Sequence, residues 1–148
     1  MQINIRDATI KDINSIIVIT EIYYKEDNYP FSSEKSAKNL SLLINNPTWG
    51  KVWVIEEKQT IQGYFIVTLS FSLEYGGRDA FLDEIYFLPA TRGKGVGKTC
   101  VELAIEWCKS QDVKAIHLEV EQKRVAAIKL YKKMGFTLHD RLLMTRYI

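Results

Sequence analysis

Cysteine and histidine are both scarce in this chain of 148 residues, which contains two of each. Cys100 and Cys108 lie two turns apart on a predicted helix, roughly 12 Å, which is too far for a disulfide. We therefore expect two buried thiols rather than a redox pair. With so few sulfur and imidazole ligands the sequence contains no recognisable zinc cluster, and no metal site is predicted.

Strong charge and long apolar runs are also missing. The formal net charge is +2, which is too small to favour a nucleic acid or an anionic membrane surface as partner. No apolar run approaches the ~18 residues of a membrane span. The opening residues, MQINIRDAT, do not have the basic-then-apolar layout of a signal peptide. The prediction is a cytoplasmic protein that binds neither nucleic acid nor membrane.

Nothing in the chain suggests a linker, an internal repeat or a low-complexity tract. There are only three prolines, the composition is 47% hydrophobic and 26% charged, and the length suits one core. We expect a single globular domain over residues 1–148.

The clearest local pattern runs from Phe81 to Gln111. Residues 81–88 (FLDEIYFL) form an apolar strand that ends at Pro89, because proline has no N–H to give to a strand ladder. A helix is predicted from about Gly95 to Ser110, since apolar residues recur there at spacings of three and four. The predicted inward-facing residues of this helix are Val96, Cys100, Leu103, Ala104 and Trp107.

A glycine-rich turn, RGKGVGK at residues 92–98, joins this strand to the helix. Glycines allow a tight turn and a close approach of a ligand to the backbone. The first N–H groups of a helix have no partner within it, and they favour an anion. With the cations at Arg92, Lys94 and Lys98, the turn predicts a phosphate or pyrophosphate site.

Spacing distinguishes between the known phosphate loops. A P-loop reads G-x-x-x-x-G-K-S/T, but the position of its first glycine is Arg92 here, and the dinucleotide fingerprint G-x-G-x-x-G also misses by one residue. The pattern that fits is R-x-x-G-x-G at Arg92, Gly95 and Gly97. After a strand and before a helix, it resembles the coenzyme A loop of the GNAT N-acetyltransferase superfamily. The resemblance implies acetyl-CoA as co-substrate.

Periodicity outlines the rest of the fold. Further strands are predicted at residues 3–6, 51–56, 61–72, 114–121, 136–137 and 142–147, and further helices after Thr9, from Ser32 or Ser33 to Asn45, and at 124–134. Within 61–72, Phe65 and Val67 share the covered face and Tyr64 lies on the other. The order predicts an α/β (mixed α+β) fold with a mostly antiparallel sheet, a parallel β-α-β unit and helices on both faces. This order also resembles the GNAT fold.

A second stretch carries the resemblance, AAIKLYKKMGF at residues 126–136, which is similar to the family's AxxLYxKxGF segment. It implies that Tyr131 lies near the coenzyme sulfur and protonates the departing thiolate. Many family members have an asparagine that contacts the coenzyme at the position of Arg124. The chain departs from the family here, and the resemblance implies that the Arg124 side chain would make this contact instead.

Acetyl transfer from the coenzyme to an amine also needs a base and a hydrogen-bond donor to the oxyanion. Glu84 and Asp83 are the candidate bases, with Glu84 preferred and a relaying water as the alternative. Adjacent strand residues point to opposite faces, so we expect only one of the two to be aimed at the substrate. The resemblance implies that backbone groups of Phe87 and Leu88 pair with the coenzyme and bind the thioester oxygen. The complete predicted coenzyme-binding set is Phe87, Leu88, Arg92, Gly93, Lys94, Gly95, Val96, Gly97, Lys98 and Arg124.

The acceptor is predicted from acids that accompany aromatic residues. Tyr24, Asp27, Tyr29 and Glu74 suit a cationic amine through ion pairs and cation–π contacts, although the same residues would also suit a solvated surface. The leading prediction is direct acetyl transfer to a primary amine of a small molecule or a lysine side chain. The alternatives are a non-catalytic acyl-CoA-binding or sensor module and a P-loop-like phosphatase. A homodimer through the last strand, 142–147, is a further expectation.

Overall fold

The computed structural model describes residues 2–148, which form one five-stranded sheet in the order β1-β2-β3-β4-β5. The first four strands are antiparallel and follow one another along the chain, whereas β5 is parallel to β4 and is reached through a helix. The strands are β1 (Ile3–Asp7), β2 (Gly50–Glu57), β3 (Thr60–Ser72), β4 (Gly77–Phe87) and β5 (Ala115–His117). The predicted mixed sheet with its parallel β-α-β unit is confirmed.

Helices cover both faces of the sheet, as predicted. They are α1 (Ile13–Glu26), α2 (Ser33–Asn45), α3 (Val96–Ser110) and α4 (Val125–Lys133). On one face, apolar residues of α1 and α2 pack on the side chains of Val54, Tyr64 and Ile66. On the other, α3 and α4 pack on Phe65 and Val67. Because both faces are covered, the middle of β3 is buried on both sides.

The inward face of α3 differs in part from the prediction. Val96, Cys100 and Ala104 are buried, but Leu103 is exposed and Val101 is buried in its place. Both cysteines are free and buried, and burial raises the pKa of the thiols to about 12 for Cys100 and about 11 for Cys108. Neither thiol is therefore ionised near neutral pH.

The start of α1 is fixed by an ion pair to β1. A 3₁₀ turn at Ile10–Asp12 precedes the helix, and the backbone N–H of Thr9 donates to the Asp12 carboxylate at 2.7 Å. Arg6 donates to both oxygens of Asp12 at 2.9 Å and to Glu56 of β2. This network joins α1 to the edge of the sheet.

The C-terminal part differs from the sequence prediction. The strand predicted over residues 114–121 is reduced to Ala115–His117, since only these residues pair with β4. The strands predicted at 136–137 and 142–147 are not formed, because no residue from 137 to 148 has a backbone partner within the described chain. A strand needs a neighbouring strand to satisfy its N–H and C=O groups, and periodicity alone cannot supply one.

A register shift in the middle of the sheet shapes β4. Ile66 pairs with Glu84 and Val67 pairs with Leu82, so Asp83 has no partner across the ladder. Such a bulge changes the direction of the strand and re-aims its side chains. None of the helices in residues 2–148 is long and apolar enough to cross a membrane.

Candidate active site

The candidate site is a cavity of about 1310 Å³ that opens where β4 and β5 stop pairing. The parallel ladder ends at Phe81 and His117, and the two chains separate beyond it. Residues 82–87 line one side of the gap and 118–121 line the other, while the start of α3, the face of α4 and the end of α1 enclose it. Ligands of α/β sheets commonly bind at such a gap beyond the strand ends.

The start of α3 faces this cavity without a side-chain cap. Its N-cap is Gly95, in the left-handed region at φ 75°, and Gly93 has the same φ. Val96, Gly97 and Lys98 line the cavity, and their backbone N–H groups have no hydrogen-bond acceptor within the described residues. Three unsatisfied donors at the positive end of a helix dipole favour the binding of an anion.

Gly97 allows a close contact between α3 and its neighbours. A Cβ atom there would lie 3.1 Å from Cδ2 of Leu130 and 3.5 Å from the ring of Phe87. The missing side chain lets α3 approach α4 and the end of β4 closely, and that approach places its N–H groups at the cavity.

Two predicted coenzyme residues do not line the cavity. The Lys94 ammonium lies 3.8 Å from a carboxylate oxygen of Glu57 at the end of β2. The backbone N–H of Leu88 donates to the carbonyl of Gln62 at 2.9 Å, and its carbonyl accepts from Thr91. Since N–H groups alternate between the edges of a strand, that of Phe87 points into the gap, and it is the available backbone donor.

Glu84 lies beneath the end of α1, where two tyrosines hold it. Tyr64 donates to its carboxylate at 2.6 Å and Tyr24 donates through a short hydrogen bond. Burial raises the pKa of Glu84, the two phenols lower it, and the charge of Asp83 raises it; the net direction is upward from the usual value. A carboxylate of raised pKa is a stronger base than an exposed one.

Asp83 also lines the cavity, at the bulge of β4. Its side chain reaches the cavity space and has no hydrogen bond or ion pair within residues 2–148. Asp83 is exposed to the cavity, but the protein walls around it desolvate the carboxylate in part, and this desolvation raises the pKa of Asp83. Both candidate bases therefore lie at the cavity, because the bulge interrupts the alternation that would have separated them.

Tyr131 of α4 is buried, and its side chain lines the cavity opposite β4. Its hydroxyl has no hydrogen-bond partner in the described chain, and its ring packs edge-on against Phe136 at 5.8 Å. Burial raises the pKa of Tyr131 to about 12, against a lowering by nearby Arg124. The phenol is thus a protonated donor aimed at an open space.

Arg124 and Asp27, predicted at opposite ends of the site, bind one another. The guanidinium donates to the Asp27 carboxylate at 2.7 Å, and Lys123 lies 3.0 Å from the same carboxylate, whose side chain is 1% exposed. Burial raises the pKa of Asp27, but the hydrogen bonds from Arg124 and Lys123 outweigh it, so the net direction is downward. This ion pair, which we call the α1–α4 clasp, joins the two helix layers beside the cavity.

Arg92 links the glycine-rich turn to the end of α1. Its guanidinium lies 5.4 Å from the centre of the Tyr86 ring and 3.5 Å from Glu26, to which the Tyr86 hydroxyl donates at 2.5 Å. The Arg92 side chain, which lines the cavity, thus joins the glycine-rich turn to the end of α1.

The predicted acceptor residues separate into two groups. Tyr24 and Tyr29 line the cavity with their rings 5.6 Å apart, and the Tyr29 hydroxyl donates to Glu121 at 2.7 Å. Glu74 lies in the turn between β3 and β4, outside the cavity lining, and it binds Arg141 at 2.6 Å.

The sequence prediction omitted several residues of this site. Tyr64 was assigned to the face opposite the covered one, yet it is completely buried beneath α1 and holds Glu84. Tyr23, Glu26, Tyr86 and Glu121 also line the cavity. The one feature of the sequence that could have indicated these cavity residues is the concentration of tyrosine and acidic residues at 23–29. In residues 2–148, no group of three or more potential metal ligands is arranged around a common point.

Comparison with known proteins found a matching family and several relatives. The model of the Acetyltransferase (GNAT) family matches residues 16–136. A candidate ribosomal protein bS18-alanine N-acetyltransferase of Bacillus subtilis (strain 168) is 28% identical over 131 residues, 88% of this chain and 78% of that protein. The uncharacterized N-acetyltransferase YjgM of Escherichia coli (strain K12) is 35% identical over 85 residues, 57% of this chain and 49% of that protein.

Solved structures share the fold over nearly the whole chain. An integron cassette protein from the mobile metagenome of Cole Harbour Salt Marsh superposes with a TM-score of 0.86 at 27% identity, covering 97% of this chain and 90% of that one. A predicted acetyltransferase from Clostridium acetobutylicum, solved with acetyl-CoA, gives a TM-score of 0.84 at 19% identity, covering 98% and 96%. At 19% identity the second likeness concerns the fold alone.

Proposed function

The chain belongs to the GNAT family of acetyltransferases, and from this premise we propose that it moves an acetyl group from acetyl-CoA directly to a primary amine of a cationic acceptor. One observation carries the proposal: the uncapped start of α3, a protonated Tyr131 and the half-buried carboxylate of Glu84 all line the same cavity. An anion site, a donor for a leaving group and a base are the three groups that amine acetylation from a phosphorylated thioester requires.

The glycine-rich turn is the proposed pyrophosphate site. The N–H groups of Val96, Gly97 and Lys98 would donate to phosphate oxygens, and the Arg92 and Lys98 side chains would add positive charge. The N–H of Phe87, which points into the gap, would donate to the thioester oxygen as it gains charge.

Glu84 is the proposed base, with Asp83 as the alternative. The acceptor's ammonium group first loses one proton to solvent and becomes a free amine. Its nitrogen bonds to the carbonyl carbon while the Glu84 carboxylate accepts the second proton from that nitrogen, and the carbon–sulfur bond breaks to release the thiolate. Glu84 returns its proton to solvent through the open cavity.

Tyr131 is the proposed donor to the departing sulfur. Its pKa of about 12 exceeds that of a thiol, ~8.5, so full proton transfer to the thiolate would be uphill by roughly 5 kcal/mol. We therefore assign Tyr131 a hydrogen bond that stabilises the thiolate, which takes its proton from solvent afterwards. This role needs a phenol that stays protonated, and burial keeps it so.

The acceptor end supports a cationic substrate. Among the described residues Asp83, Glu84 and Glu121 have no cationic partner, and the rings of Tyr24 and Tyr29 lie between the last two. Uncompensated carboxylates and aromatic faces favour an ammonium group. A small polyamine-like molecule and a lysine side chain both meet this description.

Calorimetric titration with acetyl-CoA, and separately with ATP–magnesium, tests the phosphate site. Gly95→Trp should abolish acetyl-CoA binding by filling the turn. Gly76→Trp is the matched control, because Gly76 also has a positive φ (87° against 75°) and open space around its Cβ position, but lies outside the cavity lining. Binding of ATP in place of acetyl-CoA, or equal loss in both variants, would overturn the assignment.

Thiol release with a panel of amines tests the chemistry. Tyr131→Phe should retain acetyl-CoA affinity and lower kcat on the order of 10- to 100-fold, the effect of losing a donor to the leaving group. Binding without release for any amine would instead identify an acyl-CoA-binding module. An unchanged kcat in Tyr131→Phe would remove this residue from the mechanism.

A further inference from the structure

Glu26, the last residue of α1, lines the cavity, and its carboxylate lies beside two arginines. One oxygen, Oε2, is 3.5 Å from Nη2 of Arg92 and 3.6 Å from Nη2 of Arg124. The other oxygen, Oε1, accepts from the Tyr86 hydroxyl at 2.5 Å. Lys123 donates to the backbone carbonyl of Glu26 at 2.8 Å. The carboxylate is therefore fixed at a point where a cation from the glycine-rich turn meets one from the start of α4.

The same two arginines contact a stacked pair of tyrosines. The rings of Tyr23 and Tyr86 are 4.9 Å apart and inclined by 20°. Arg92 lies 5.4 Å from the centre of the Tyr86 ring, and Arg124 lies 5.6 Å from that of Tyr23. A guanidinium within about 6 Å of a ring centre is attracted to the ring. These contacts do not depend on the charge of Glu26.

The two arginines differ in their other ionic partners. Arg124 donates to Asp27 at 2.7 Å in the α1–α4 clasp, so Glu26 is its second carboxylate. Arg92 has Glu26 as its only carboxylate partner within the described chain, and its side chain is 42% exposed. Exposed ion pairs contribute little to stability. Arg92 can therefore exchange the Glu26 carboxylate for another anion at little cost.

We propose that Glu26 competes with the phosphates of acetyl-CoA for Arg92 and thereby lowers the affinity of the cavity for the coenzyme. The inference rests on the proposed function, in which Arg92 and the start of α3 bind these phosphates. A carboxylate beside a phosphate site repels the phosphate and also offers the arginine an alternative partner. Both effects weaken the binding of a phosphorylated ligand.

This competition acts on the product as well as on the donor. Acetyl-CoA and CoA carry the same phosphates, so Glu26 weakens the binding of both. Release of product limits the turnover of many enzymes, and a product that binds less tightly leaves sooner. Glu26 is thus a positioning residue, because it acts through Arg92.

Calorimetric titration of Glu26→Gln with acetyl-CoA tests the competition. Glutamine keeps an oxygen that can accept from Tyr86 and removes only the charge. The Kd should fall on the order of 3- to 10-fold, the effect of one unit charge near a partly exposed site. Glu21→Gln is the matched control and should leave the Kd unchanged, because Glu21 is an exposed acid of the same helix outside the cavity lining. An equal fall in both variants, or a Kd that rises in Glu26→Gln, overturns the proposal.

A double-mutant cycle with Arg92→Gln tests whether the competition concerns this arginine. The gain in affinity from Glu26→Gln should be smaller in the Arg92→Gln background, because the group for which Glu26 competes has been removed. A gain of equal size in both backgrounds contradicts the role of Arg92.

S-acetylpantetheine, which has the thioester of acetyl-CoA but no phosphate, separates competition from a structural effect. Its rate of thiol release with the amine panel should be equal in Glu26→Gln and the wild type. A rate that changes by the same factor as the Kd of acetyl-CoA contradicts competition with phosphate. A wild-type protein that does not bind acetyl-CoA refutes the proposed function itself, whereas equal Kd values in the wild type and Glu26→Gln refute only this inference.

Discussion

Glu84 shows how neighbouring side chains set the basicity of a single residue. Two phenols donate to its carboxylate, and hydrogen bonds to the charged form of an acid lower its pKa. Burial acts in the opposite direction and is the larger effect, so the net shift is upward. The pKa of Glu84 is thus set by two opposed effects. If Glu84 is the base, removing one of them should shift the pH dependence of the activity.

Tyr64→Phe should move the acidic limb of the kcat/KM–pH profile to higher pH. The change removes a donor that stabilises the carboxylate, so the pKa of Glu84 rises further, and the base becomes available only at higher pH. An initial-rate series across pH with a saturating donor measures the shift. A loss of one hydrogen bond to a charged group corresponds to about 1 pH unit.

Glu84→Gln provides the reference for this experiment, since it should remove the limb altogether. Asp83→Asn should leave the limb in place if Glu84 is the base. A profile that keeps its limb in Glu84→Gln and loses it in Asp83→Asn would transfer the role to Asp83. Equal profiles in Tyr64→Phe and the wild type would show that Tyr64 does not control the base.

At the scale of elements, ion pairs join β1 to the start of α1. Arg6 binds Asp12 and Glu56 together, and Asp12 also accepts from the Thr9 N–H at the start of the helix. The hydrogen bonds from Arg6 lower the pKa of Asp12 to about 2, against the effect of burial. Thr9 was recognisable as a helix start from sequence, but the ion pair between Asp12 and Arg6 was not.

The stability that Asp12 contributes should be lost in acid. Its folded pKa lies below its unfolded value of ~3.9, so the contribution is present above pH ~4 and disappears as pH falls toward 2. Asp12→Asn should cost on the order of 2 kcal/mol at neutral pH, and its free energy of unfolding should change less than that of the wild type between pH 4 and 2. Urea denaturation at several pH values measures both quantities.

Asp7→Asn is the matched control for this prediction. Asp7 lies at the end of β1, next to Arg6, and pairs with Lys51 at 3.0 Å, but its side chain is exposed. Exposed pairs contribute little, so the variant should differ from the wild type by less than about 1 kcal/mol. Equal pH dependence in Asp12→Asn and the wild type would contradict the role of Asp12.

The two helix layers of the whole molecule meet at the α1–α4 clasp. α1 packs on one face of the sheet and α4 on the other, and Asp27–Arg124 joins them beside the cavity. Removing one member of a buried pair leaves the other charge uncompensated. The clasp should therefore stabilise the fold and define the shape of the cavity together.

A double-mutant cycle with Asp27→Asn and Arg124→Gln tests the clasp. Each single variant should lower the free energy of unfolding by about 2 kcal/mol, and the double variant by less than their sum, because the partners are in contact. Chemical denaturation supplies the four values. Glu102→Gln, which breaks the exposed pair with Lys98 on α3, should cost less than about 0.5 kcal/mol. Additive effects would show that the pair is not coupled.

Acetyl-CoA affinity in the same variants tests the coenzyme contact predicted for Arg124. If the guanidinium binds the coenzyme, Arg124→Gln should weaken binding more than Asp27→Asn does. Equal effects would restrict Arg124 to the clasp.

Local patterns allowed much of the fold and part of the site to be anticipated. Turn chemistry and apolar periodicity act over a few residues, so the strand, the glycine-rich turn and α3 could be predicted together. The resemblance to the family indicated Tyr131 and Glu84 as candidate site residues. The same range of action explains the antiparallel order of β2, β3 and β4, whose connections are short. Comparison with the family confirms the fold and the acetyltransferase class.

Only the tertiary structure decided which distant groups meet. From sequence, Asp27 was predicted to bind the substrate, but in the structure Arg124 and Lys123 bind its carboxylate. The backbone of Leu88 was predicted to bind the coenzyme, but its N–H donates to a carbonyl of β3. The bulge at Asp83 and the burial of Tyr64 depend on pairing between strands, and the C-terminal strand pattern has no partner in its own sheet. A sequence determines what each segment favours locally, but hydrogen bonds and ion pairs between remote segments depend on how those segments pack.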